Sequence, residues 1–169
     1  MDRLWAPWRA AYIRDSAPRP DDVSQASCFI CDALARTTDR DNLLAWRGPR
    51  TVVILNRFPY NNGHLLVAPR SHVGSLGELS RDERAEPIET ITRLIGVLDR
   101  MMSPHGYNIG LNLGKSAGAG LPGHLHWHVV PRWDGDTNFM PILGDAKVIV
   151  ESLEEFYDRL VSEFARHEW

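Results

Sequence analysis

The chain has 169 residues, 43% of them apolar, and a formal net charge of −3. That length suits one domain with a real core and leaves little room for two. The charge balance argues against a general nucleic-acid coat or an anionic membrane partner, although a local pocket can still be positive enough for a nucleotide. No stretch approaches the roughly 20 apolar residues of a membrane span and nothing reads as a signal peptide, so cytoplasm is the expected compartment.

Met1 to Ile13 carries Trp5, Trp8 and Tyr12 and is expected to pack on its own core or on a partner subunit. Asp15 to Ser27, with Pro18 and Pro20, reads as a surface loop. Cys28 and Cys31, the two cysteines of the chain, follow as a CxxC ahead of a polar segment to Asn42. In a cytosolic protein that spacing suggests metal or redox chemistry rather than a disulfide scaffold. Thr51 to Leu55 is short and β-branched and predicts a buried strand. Turn residues fill Asn56 to Gly63, and His64 to Pro69 is the returning strand of an antiparallel hairpin.

Ser80 and Glu83 have capping-box spacing. Ile88, Ile91, Leu94, Ile95, Leu98 and Met102 then recur at helical spacing, which predicts a crossover helix to about Met102. Pro87 is expected to start or kink it. Tyr107 to Leu113 alternates like a strand, Gly114 to Gly123 is a glycine-rich loop, and His124 to Val130 is a strand stopped by Pro131. Lys147 to Val150 reads as a short edge strand, and Glu151 to Ala165 as an amphipathic helix with Leu153, Phe156, Tyr157, Leu160 and Phe164 on one face. This order favours an α+β fold on an antiparallel sheet over a doubly wound one. The expected organisation is a single domain, 1–169, with an N-terminal extension (1–27), a core (about 28–141) and a C-terminal helix (151–166).

His124, His126 and His128 carry the most information. Strand side chains alternate, so the three share one face while Leu125, Trp127 and Val129 take the other. Three imidazoles buried as filler would each need hydrogen-bond partners, so the row reads as the lining of a cleft. It could ligate a metal, or one ring could act as a nucleophile oriented by its neighbours. The preceding loop, Gly114-Lys115-Ser116-Ala117-Gly118-Ala119-Gly120, lets backbone amides approach an anion closely. It lacks the GxxxxGK[ST] order of a Walker loop. Lys115 reads as a solvated loop lysine.

His124-Leu125-His126-Trp127-His128-Val129-Val130 resembles the histidine-triad motif. Asn56 to His64, Gly110 to Gly114 and Ser116-Ala117-Gly118 resemble other segments of that family, and Trp5-Ala6-Pro7-Trp8-Arg9 and Pro131-Arg132-Trp133 resemble one bacterial branch. The similarity spans roughly Trp5 to Pro141 and points to the fragile-histidine-triad branch. It implies the family's α+β antiparallel sheet, a homodimer, and cleavage of diadenosine polyphosphates by hydrolysis or, in bacterial relatives, phosphorolysis of diadenosine tetraphosphate to ADP and ATP.

By position, the resemblance makes His126 the nucleophile that becomes adenylylated and puts His128 at the transferring phosphate or leaving group. Asn112, Ser116 and the amides around Gly118, Gly120 and Leu121 would hold the α-phosphate, Asn56 would sit near the ribose and His64 at the site edge. No metal is obligatory for this chemistry, though magnesium could accompany the substrate. Cys28 and Cys31 need two further ligands for a tetrahedral site. His72 and His124 are the candidates, because some relatives, including the galactose-phosphate uridylyl branch, resemble that zinc arrangement. Three other functions stay open: a nucleotide-binding or sensing protein of low turnover, a nucleoside phosphoramidase, and a zinc-organised nucleic-acid or protein adaptor, which the lack of a basic stripe disfavours.

Overall fold

A computed structural model describes residues 28–140, 144, 148–167 and 169. The aromatic opening segment, the proline loop to Ser27, Pro141 and Lys147 lie outside the described residues. Within them the order is α1 (Phe29–Ala35), β1 (Leu44–Arg47), β2 (Thr51–Leu55), β3 (Leu65–Pro69), α2 (Arg81–Met102), β4 (Gly106–Leu111), β5 (Trp127–Arg132) and α3 (Leu153–Arg166). The strands form one antiparallel sheet in the order β1-β2-β3-β5-β4. The α+β expectation holds, and so does the hairpin, whose register runs from Thr51↔Pro69 to Leu55↔Leu65.

β2 and β3 are buried at every position because the sheet is covered on both faces. Val53, Leu55, Leu65, Val67, Trp127 and Val129 pack with the apolar stripes of α2 and α3. Val52, Ile54 and Ala68 point the other way, to Cys28, Ile30, Ala33, Leu44 and Leu121. Since Trp127 and Val129 belong to the α2/α3 side, alternation turns His126 and His128 to the side of α1.

α1 falls within the segment to Asn42 that reads as polar, and β1 follows it where no element is predicted. Seven residues cannot hold a helix by propensity, and both ends of α1 are tied. Cys28 is its N-cap, with Sγ accepting the Cys31 N–H at 3.5 Å. At the other end the Arg47 guanidinium, reaching over from β1, donates to the carbonyls of Ala33, Leu34 and Arg36 at 2.8–3.0 Å and to Asp39. These are the orphan carbonyls of a helix end, so β1 braces the segment that carries both cysteines.

α2 begins at Arg81, behind the capping box that Ser80 and Glu83 form, and not at Pro87. It runs through Pro87, which gives up the bond to the Glu83 carbonyl and crowds that carbonyl with its ring. Its buried stripe is Pro87, Thr90, Ile91, Leu94, Val97 and Leu98, so Ile88 faces outward. β5 is shifted relative to expectation: it starts at Trp127, leaving His124 and His126 just ahead of the ladder, and it passes through Pro131. The pairing with β3 ends at Leu65↔Val129, and the Pro131 carbonyl accepts from the Asn61 side chain at 3.1 Å instead. The missing N–H of Pro131 thus lies where no strand remains to receive it. Val148–Val150 is not a strand. α3 matches its predicted face.

Candidate active site and metal centre

Seven-residue α1, the end of β3 and the approach to β5 bring four ligand atoms together. Cys28 Sγ lies 3.2 Å from His124 Nδ1, and Cys31 Sγ lies 3.3 Å from His72 Nδ1 and 3.5 Å from His124 Nδ1. All four donor atoms fall within 4.8 Å of one another. Tetrahedral zinc, with bonds of about 2.3 Å to sulfur and about 2.0 Å to nitrogen, sets donor separations of roughly 3.4–3.8 Å, so the residues fit a metal ion. No disulfide joins the cysteines. The other nitrogen of His124, Nε2, is 2.8 Å from the Pro69 carbonyl. A carbonyl only accepts, so Nε2 carries the proton and Nδ1 is left as a ligand. Burial is the main reason that His124 is held down near 4, which keeps its ring neutral at pH 7.

A second imidazole group stands next to the first. His126 Nδ1 is 2.8 Å from the His124 carbonyl; Nδ1 therefore donates, and Nε2 holds the lone pair. His128 follows, its ring edge-on to that of His126 with centroids 5.1 Å apart. His64, wholly buried, places Nε2 2.9 Å from His128 Nδ1.

One-way donors fix the tautomers of this pair. The Phe58 N–H donates to Asn56 Oδ1 at 3.0 Å, which turns the Asn56 amide nitrogen toward His64 Nδ1, 3.2 Å away. The Tyr60 N–H donates to the same Nδ1 at 3.0 Å. His64 must then carry its proton on Nε2 and donate it to His128 Nδ1, and neutral His128 keeps its own proton on Nε2. Burial first, and the neighbouring imidazoles second, lower His64 to about 3 and His128 to about 4. The face thus offers a lone pair on His126 beside an N–H on His128. On β4, Gly110 pairs with His128, and a Cβ there would meet nothing within 4 Å among the described residues, so the ladder position beside His128 is open.

Residues 39–135, more than half of the chain, match the model of the HIT domain. The chain belongs to the HIT family. It is 41% identical over 167 residues to the AP-4-A phosphorylase of Mycobacterium tuberculosis, an alignment covering 98% of this chain and 86% of that protein. A hypothetical histidine triad nucleotide-binding protein from Sulfolobus tokodaii superposes with a TM-score of 0.63 at 26% identity, over 82% of this chain and 90% of that one. A zinc-bound histidine triad family protein from Mycobacterium smegmatis shares the fold, with a TM-score of 0.66 at 23% identity over 86% and 98% of the two chains.

The remaining expected site residues of this HIT protein are spread around that face. Asn112 stands one residue past the Leu111↔Trp127 pair, opposite His126 by register. Ser116 is exposed in a 3-10 turn, Lys115–Ala117, beside exposed Lys115. Gly114 and Gly118 have φ of +77° and +89°, which glycine tolerates best. The Gly118 and Ala119 amides are already engaged, by Lys115 and Gly114 carbonyls at 2.9 and 3.3 Å; no such bond ties those of Gly120 and Leu121 among the described residues. The Leu121 side chain is packing, buried near Cys28. His64 is beneath the face rather than at its edge, and Asn56 bonds to His64. Sequence reasoning missed Tyr60, whose ring covers His64 and His128; its place four residues before His64, in a proline turn, was the available signal. It also missed Arg47 and the Pro69 carbonyl, which act through the fold alone.

Proposed function

We propose that this protein cleaves diadenosine tetraphosphate by phosphorolysis, releasing ADP and ATP, with His126 as the nucleophile. The observation that carries this is the bond from His126 Nδ1 to the His124 carbonyl, which in the neutral ring leaves the lone pair on Nε2, beside the Nε2–H of His128 on the same face. The likeness to an AP-4-A phosphorylase over nearly the whole chain supports the substrate and the acceptor.

In the first step His126 Nε2 attacks the α-phosphorus, the bond to the bridging oxygen breaks, and ATP leaves with that electron pair. In the second, an oxygen of inorganic phosphate attacks the same phosphorus, the phosphorus–nitrogen bond breaks, and ADP departs with the imidazole restored. His128 Nε2–H donates to the oxygen that gains charge, as do Asn112, Ser116 and the amides of Gly120 and Leu121. Magnesium, in this reading, travels on the polyphosphate. Zinc on Cys28, Cys31, His72 and His124 is structural: it ties α1 to the catalytic strand and supplies no step.

Residues 1–169 form one domain in this reading, working in the cytoplasm, where thiols stay reduced. A homodimer is supported by β4, a sheet edge with exposed Ile109; light scattering at micromolar concentration tests it. The function is tested by incubating the protein with diadenosine tetraphosphate, with and without phosphate, and separating the products. ADP plus ATP, dependent on phosphate, is expected; AMP plus ATP would make the reaction hydrolytic. Tight AMP binding with no turnover would instead indicate a sensing module.

A further inference from the structure

Tyr60 has no part in the mechanism so far, yet it touches both members of the buried imidazole pair. Its main-chain N–H is bonded to His64 Nδ1 at 3.0 Å. Its ring lies nearly parallel to that of His128, with centroids 5.6 Å apart at 19°, and tilts over His64 at 4.5 Å and 43°. The side chain is itself 58% exposed, so the ring is a cover with water on its outer side rather than a piece of core.

An exposed aromatic ring can stack on anything by chance; this one is held from both sides. Before it, Phe58 N–H closes a turn onto Asn56. After it, the buried side chain of Asn61 donates to the Pro131 carbonyl at 3.1 Å and to Asp136 at 2.8 Å, and Asp136 is itself gripped by Arg132. The turn is therefore pinned to β5, the strand that carries His128. The Tyr60 hydroxyl makes no hydrogen bond among the described residues, so any role belongs to the ring.

We propose that Tyr60 is a positioning residue for the cleavage: its ring caps His128, excludes water from the His64–His128 pair and fixes the direction in which His128 Nε2–H donates. This rests on the roles given to His126 and His128 above. The physical basis is desolvation. Burial is the largest cause of the low values of His64 and His128, and the imidazoles around them supply the rest. Among the described residues, the groups facing His128 are His126 on its own strand, His64 ahead of β3 and Tyr60 from the turn, while β4 offers Gly110 at that register. None is a carboxylate that would hold a charged imidazole in place, so water admitted by loss of the ring acts directly on the protonation of His128.

The test uses the full chain with Tyr60→Phe, Tyr60→Leu and Tyr60→Ala, each checked for an unchanged melting temperature. Nitrogen-detected NMR titration of His128 is read without substrate, and kcat and KM are read on diadenosine tetraphosphate plus phosphate. Tyr60→Phe should match the parent within about twofold, since the ring remains. Tyr60→Ala should lose about 10- to 100-fold in kcat, the scale of a misoriented catalytic group, with KM nearly unchanged, and His128 should titrate closer to the ordinary 6.5. Tyr60→Leu should fall between. An unmoved His128 titration in Tyr60→Ala, or an equal loss of kcat in Tyr60→Phe, overturns the proposal. The titration needs no turnover, so it judges the cap separately from the cleavage reading, which fails on its own if His126→Ala keeps its activity.

Discussion

Two groups of histidines lie side by side at one face of the same sheet, and they differ in what their ring nitrogens meet. His72 and His124 turn ring nitrogens toward two sulfurs within 3.5 Å. His64, His126 and His128 turn theirs toward backbone groups, an amide side chain and each other. Residue type is the same and burial is similar; what differs is the set of partners. Imidazoles gathered with two thiols offer the donor set of a metal site, whereas one-way backbone donors and acceptors fix which nitrogen of a neutral ring carries the proton. His124 belongs to both, giving its side chain to the first group and its carbonyl to the second.

The contrast is broken most sharply at His126. Its replacement by alanine should lower kcat for phosphorolysis by at least about a thousandfold while zinc content, read by elemental analysis, stays at one per chain. Residual activity near the parent level would refute the nucleophile assignment. Cys31→Ala should do the reverse: zinc is lost, and the melting temperature falls by about 10 °C, equivalent to ~3–4 kcal/mol in a chain of this size. A calorimetric scan showing full zinc and an unmoved transition would remove the metal from the fold's account.

Acid tests the buried imidazole pair more gently. His64 titrates near 3 and His128 near 4 in the folded protein, against an ordinary value of about 6.5 in the unfolded chain. Between these limits the unfolded chain binds more protons, so stability is full above pH 6.5 and is lost as pH falls toward 4. The slope contributed by His64 should approach about 1.4 kcal/mol per pH unit, and urea denaturation of His64→Gln at pH 7, 6 and 5 should show a shallower fall. The smallest effect is expected at Asn56. Asn56→Ala removes one of two donors to His64 Nδ1 and should cost about 1 kcal/mol, roughly fivefold in kcat/KM; no change would mean that the Tyr60 amide suffices.

The sequence showed what repeats and what alternates. The β2–β3 hairpin, the capped helix α2 and the apolar face of α3 all follow from patterns over five or more residues. The histidine row gave its face by alternation even though His124 and His126 precede the ladder, since extended backbone alternates with or without a neighbour. Both cysteines and both partner histidines could be named because the family resemblance supplied the long-range pairing. What could not be read was held by single long-range contacts. α1 exists because Arg47 reaches its carbonyls, and Pro131 sits in a strand because β3 has already ended. The outward turn of Ile88 reflects how α2 rolls on the sheet, a matter of packing that helical spacing fixes only to within one residue.

Gly110 gives the face a property that a list of polar groups misses. Hydrogen stands where any other residue would put carbon, directly across the ladder from His128, and among the described residues nothing lies within 4 Å of that point. The room beside His128 on the β4 side is therefore set by one side chain's absence. An alanine there would leave both imidazole groups and their bonds intact while filling part of that room with a methyl group, so the width of the face can be changed without touching the imidazoles.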